Sequence, residues 1–99
     1  MLKQVRLYIK GDVLGVGFRA WTKIQAKIIG VGGTVRNAYD KTHIFGTGGG
    51  VEAIVQGTEE KVDQMITKLR EGSPISLVND IEIIQEDPKE IYEGFEIVK

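Results

Sequence analysis

Apolar and polar residues alternate along Val5-Arg6-Leu7-Tyr8-Ile9-Lys10, so residues 3–10 read as a strand with one buried face. The period changes near Ala20. Trp21, Ile24 and Ile28 recur at helical spacing, which predicts a helix over 20–30 with these three on its buried face. Gly30, Gly32 and Gly33 end it, and residues 33–38 form a short second strand. Val51, Ala53 and Val55 alternate in a third strand, closed by Gly57. Thr58 suits an N-cap, and Glu59 and Glu60 suit a first helical turn, where the helix dipole favours negative charge. Val62, Met65, Ile66 and Leu69 then make an apolar stripe that stops at Gly72. Pro74 marks a turn, Ile81 and Ile83 a fourth strand, and Phe95 and Ile97 a short fifth one.

The resulting order is β-α-β-β-α-β with a terminal strand. Each helix has one stripe to bury, and the strands have one strongly apolar face. An α+β, ferredoxin-like sandwich meets both needs, with two helices on one face of a mostly antiparallel five-stranded sheet. At 99 residues, with no repeat, linker or low-complexity tract, the chain is expected to form a single domain over 1–99.

Composition narrows the chemistry. There are no cysteines, hence no disulfide framework and no thiolate nucleophile. No apolar run has the length of a signal peptide core or the ~18 residues of a membrane span. A soluble, cytoplasmic monomer without a membrane partner is expected. Thirteen Lys and Arg against 14 Asp and Glu give −1, which supplies no general field for nucleic acid. An RNA-binding sheet of the same element order would need stacking aromatics on its central strands. The first strand has only Tyr8 and the third has none. An anionic substrate therefore needs a local positive site.

Gly11-Asp12-Val13-Leu14-Gly15-Val16-Gly17-Phe18-Arg19 offers one, between the first strand and the first helix. Glycines allow φ > 0 and close approach of a ligand to the backbone. Such a turn aims several N–H groups at one point, the helix N-terminus adds partial positive charge, and Arg19 adds a planar fork of donors. These parts make a cradle for a phosphate dianion. The Walker pattern is absent, because the turn ends in Gly17-Phe18-Arg19. The dinucleotide pattern is absent too, because Gly15 and Gly17 are followed by Ala20.

Gly11-x-Val13-x-Gly15-Val16-x-Phe18-Arg19, continued by Ala20-Trp21, resembles the first signature of the acylphosphatase family. Gly33-Thr34-Val35-Arg36-Asn37 resembles the second, apart from its aromatic. Val51-Glu52-Ala53, Gly57, Glu59-Glu60, the Pro74 turn and Glu93-Gly94-Phe95-Glu96-Ile97 extend the resemblance over nearly the whole chain. The resemblance implies hydrolysis of the carboxyl–phosphate bond of small acyl phosphates to carboxylate and inorganic phosphate, with no metal and no cofactor. It implies that the backbone N–H groups of Leu14, Gly15, Val16, Gly17, Phe18 and Arg19 surround the phosphate, and that the Arg19 side chain pairs with it. Asn37 would hold the attacking water, a role an amide suits because it both donates and accepts. A non-catalytic anion-binding module of the same fold is the alternative. A detached domain of a larger carbamoyl-transferring maturation protein is another. The chain stops just after its last strand and lacks zinc-finger cysteines, so a free enzyme is expected.

Several residues fall outside the pattern. The family usually has Gln where Leu14 stands and an aromatic where Thr34 stands, space that Trp21 could fill. Residues 38–50 delay Val51 by about eight positions relative to the family's tight turn, as a mobile hairpin tip or as a flap over the site. His43, the only histidine, lies in that insertion and reads as solvated. Arg36 falls on the opposite face from Asn37 and reads as structural or surface.

Overall fold

The computed structural model describes residues Met1–Lys99. The inner strand β1 (Lys3–Asp12) pairs antiparallel with β3 (Gly50–Gly57) on one side and β4 (Leu77–Glu86) on the other. β2 (Gly32–Ala38) joins β3 antiparallel, and β5 (Phe95–Ile97) joins β2 in parallel. The order across the sheet is β4-β1-β3-β2-β5. The expected ferredoxin-like sandwich is thus the observed one.

Alternation decides which face is wet. Val5, Leu7 and Ile9 of β1 are buried with Val51, Ala53 and Val55 of β3 and with Val35 and Phe95. Against them pack α1 (Phe18–Ile29) and α3 (Glu59–Glu71), both on this face. In α3 the expected stripe holds: Val62, Met65 and Leu69 are fully buried and Ile66 is half-buried. Thr58 caps the helix by accepting from the Lys61 N–H at 3.3 Å.

In α1 the expected stripe does not hold. Ile24 and Ile28 are exposed, and the core face is Phe18, Thr22 and Ala26. The reason lies at the helix start. The helix begins at Phe18, not near Ala20, and Phe18 is the largest fully buried side chain of this segment. Burying it fixes the rotation, and Thr22 and Ala26 come at intervals of one turn after it. The Thr22 hydroxyl is satisfied by donating to the Phe18 carbonyl at 2.8 Å, so its burial leaves no orphan polar atom. Trp21 is half-buried, with its ring tilted against Phe18 at 5.4 Å.

The opposite face carries neither of these two helices and is stitched by charge. Glu52, only 4% exposed, accepts from Arg36 Nε at 2.7 Å and from Arg6 Nη1 at 2.6 Å. Arg6 also donates to Glu86 at 2.7 Å, and Gln4 to Glu86 at 3.0 Å. The ladder therefore runs from β2 through β3 and β1 to β4. The desolvation cost of a buried carboxylate is offset here by two guanidinium partners. Both arginines are held above their usual pKa: burial works against the charge, and the hydrogen bonds to the carboxylates outweigh it.

Two outcomes are expected from this face. Glu52→Ala leaves two half-buried guanidinium groups facing each other and should lower the unfolding free energy by about 2–3 kcal/mol in urea denaturation; an unchanged midpoint would contradict the ladder. The second concerns acid. Burial pushes the Glu86 carboxyl up, but the Arg6 and Gln4 hydrogen bonds hold it below its ordinary value. Its contribution is thus complete above the unfolded-state pKa and disappears as pH falls through the folded-state one. Melting temperature should drop below about pH 4.5, and Glu86→Gln should flatten that drop.

Candidate active site

β1 ends at Asp12 and α1 begins at Phe18, leaving Val13–Gly17 as the connection. Its two flanks are anchored: Val13 and Phe18 are each 1% exposed. Leu14 and Val16 also lean on the core, whereas Gly15 and Gly17 are exposed. Gly15 and Gly17 have φ of 74° and 71°, the left-handed region in which a Cβ is strained. This pair of turns lets four apolar side chains point inward within six residues while the backbone stays at the surface.

The backbone is left with unused donors. No N–H from Val13 to Gly17 finds an acceptor in the chain. The first turn of α1 adds its own free N–H groups. Gly17, the N-cap, offers no side chain, and the first turn holds no acidic residue. It holds Arg19 instead, a cation where the helix dipole disfavours one. Local helix stability does not account for Arg19.

Asn37 completes the arrangement. It lies on the helix side of β2, in phase with Val35, and β2 runs beside α1. A cavity of about 230 Å³ is lined by Val13, Gly15, Gly17, Phe18, Arg19, Ala20, Asn37 and Ile97. The sequence points to Arg19, Asn37 and the glycine turn, and all three meet here. Of the expected backbone set, Gly15, Gly17, Phe18 and Arg19 line the cavity, and Leu14 and Val16 do not. Ile97 is a member of the site that the sequence does not announce. Its alternation with Phe95 marks a strand face, and only the parallel pairing of Val35 with Ile97 brings it beside Asn37.

Other candidates fall elsewhere. Arg36 points to the face opposite α1 and α3 and pairs with Glu52 and Asp40. His43 is exposed on α2 (Thr42–Phe45), a short helix within the insertion. No residue of 38–50 lines the cavity. The insertion packs on the other side of the sheet, where the Phe45 ring meets Tyr8 edge-on at 5.9 Å and 72°. Thr34 is on that side too, lining a recess with Arg6, Arg36, Glu52, Ile54 and Val98. Trp21 sits on α1, across the sheet, and does not fill the space the family's aromatic would take. A larger recess of about 630 Å³ lies at the far end of α1, around Gly30, Tyr92 and Phe95, remote from the free N–H run. No three His, Cys, Asp or Glu side chains are grouped to hold a metal ion, and no helix is long and apolar enough to cross a membrane.

Comparison with known proteins bears directly on this constellation. The family model described as Acylphosphatase matches residues 5–97. The chain is 41% identical to an acylphosphatase of Rhizorhabdus wittichii, over 91% of this chain and 82% of the relative. The solved acylphosphatase of Bacillus subtilis superposes with a TM-score of 0.85 at 32% identity, covering 100% of both chains. The same fold recurs within full-length HypF, with a TM-score of 0.84 at 26% identity, where this chain covers 12% of the larger protein. The match begins in β1, takes in both glycine-bearing signatures and extends to Ile97 at the cavity wall, so the chain belongs to the acylphosphatase family.

Proposed function

We propose that this site hydrolyses small acyl phosphates with Arg19 and the Leu14–Arg19 backbone as the phosphate clamp and Asn37 as the holder of the attacking water. Acyl phosphate hydrolysis is the activity that family membership supports. The assignment of roles rests on one observation: Arg19, Asn37 and the two glycines of a turn whose N–H donors are unpaired line a single cavity. The guanidinium fork takes two phosphoryl oxygens, and the N–H groups take the rest. Asn37 accepts one hydrogen bond from water and directs its lone pair at phosphorus. The new P–O bond forms as the bond to the acyl oxygen breaks, the carboxylate leaves, and the water's proton passes to a phosphoryl oxygen.

Such a transition state is loose, with charge spread over the equatorial oxygens, so positioning and charge stabilisation carry the reaction. A carboxylate leaves without protonation. The proposed mechanism therefore assigns no general acid and no resident metal. The cavity, at about 230 Å³, is smaller than the ~300–1,000 Å³ of small-molecule sites, which suits a clamp on the phosphoryl head. The acyl substituent would project past the rim.

The test is loss of ultraviolet absorbance as benzoyl phosphate is hydrolysed in EDTA. Wild type should turn over, inorganic phosphate should inhibit, and Arg19→Ala and Asn37→Ala should each lower kcat/KM by about 10²–10³-fold. Arg19→Lys should recover little, because an ammonium cannot make the two-pronged contact. Wild-type activity in both alanine variants would refute these roles. A folded wild type that binds phosphate and turns nothing over would favour the non-catalytic module. A second variant addresses Leu14. Leu14→Gln adds an amide beside the clamp and should shift kcat or KM by a few-fold; identical constants would show that this position has no part in the chemistry.

A further inference from the structure

Residues 38–50 do not cover the cavity; they are anchored on the opposite face of the sheet. The chain leaves β2 after Ala38, one residue beyond Asn37, and the last two rungs of the hairpin are Asn37 with Val51 and Ala38 with Gly50. Beyond them the ladder stops, and the chain from Tyr39 to Gly49 is tied down at several points. Asp40 accepts from Arg36 at 3.2 Å, bridging the residues on either side of Asn37 and Ala38. Arg36 is itself fixed on β3 through Glu52. The Ile44 and Phe45 N–H groups both donate to the Lys41 carbonyl at 2.9 Å, closing the short helix α2. The Phe45 ring then reaches back over Gly50 so closely that a Cβ there would collide with it, and meets Tyr8 of β1, which is 6% exposed. The Tyr39 ring lies against Gly49 in the same way. Gly49 and Gly50 thus seat two aromatic rings.

We propose that this insertion is a brace for the Asn37 amide, with Phe45 and Asp40 as positioning residues for hydrolysis. The proposal rests on the water-holding role given to Asn37 above. Asn37 stands one rung from a free hairpin end, where backbone ladders open most readily. In-line attack tolerates little error, and a displacement of 1 Å can cost about 10²-fold in rate. Phe45 ties the outermost rung to β1, and Asp40 ties the departing chain to β2 and, through Arg36, to β3. Both act from the face opposite the cavity, so neither touches substrate.

The experiment compares steady-state constants for benzoyl phosphate and inhibition by inorganic phosphate. Phe45→Ala should lower kcat by about ten-fold, with KM and phosphate inhibition within about two-fold of wild type. Phe45→Tyr keeps the ring and should restore kcat. Asp40→Asn, an exposed change that does not threaten folding, should lower kcat by about three-fold. Val62→Ala, a buried change in α3, serves as a control for stability alone: it should lower the melting temperature and leave kcat intact. Wild-type kcat in both Phe45→Ala and Asp40→Asn would overturn the brace, as would a kcat loss that Val62→Ala reproduces at equal destabilisation. If Phe45→Ala does not fold, Asp40→Asn decides. Asn37→Ala in the same assay separates the two failures: full activity there removes the water role and the brace together, whereas loss there with full activity in the insertion variants removes the brace alone.

Discussion

Backbone donors that the protein itself does not use set the terms for this molecule. Val13 to Gly17 could have been a capped, self-satisfied turn, as most strand–helix connections are. Here both ends of the connection are buried through Val13 and Phe18, and the middle is held open by two glycines in the left-handed region. The same burial of Phe18 rotates α1, selects Thr22 and Ala26 as its core face, and leaves Ile24 and Ile28 outside. One constraint thus places the helix, aims its positive end and brings Arg19 alongside Asn37.

Much of the fold is legible because alternation along β1 and β3 is clean and because α3 carries its cap, its acidic first turn and its stripe in register. The element whose pattern misleads is α1. Two stripes compete along it, Trp21/Ile24/Ile28 and Phe18/Thr22/Ala26, and the first is the more hydrophobic by composition. The second prevails because helix rotation is decided by the anchor at the first turn, and a glycine-rich approach conceals where that turn starts. Asn37 and Arg19 are legible through their signatures. Ile97 is not, since its place at the cavity depends on a parallel pairing between β2 and β5 that no local pattern encodes. The insertion is illegible for a related reason: Phe45 is one aromatic in a polar, glycine-rich stretch, and its partner Tyr8 is far away in sequence.

The two faces of the sheet divide the labour. The helix face holds the apolar core and, at one end, the cavity. The opposite face holds Glu52 between Arg6 and Arg36, with Glu86 and Gln4 continuing the ladder. A bare sheet face without such a ladder would either expose apolar surface or remain loosely coupled from strand to strand. Here the polar side chains couple β2 to β4 across the sheet, and they do so without filling the space beside Thr34. That recess stays open, walled partly by aliphatic stems of charged residues.

The position of β1 has a kinetic meaning. It lies between β3 and β4, so the first strand made is completed only when residues from the far end of the chain arrive: Gln4 pairs with Glu86. Closing that separation must precede most of the reward from the sheet, which is the signature of a high contact order and of folding in the slow range for a domain of this size. During that search β1, with Val5, Leu7 and Ile9 in a row, is an unpaired hydrophobic edge. The acidic residues Asp80, Glu82 and Glu86 on β4, set against Arg6 and Lys10 on β1, make the correct strand the electrostatically preferred one to close it.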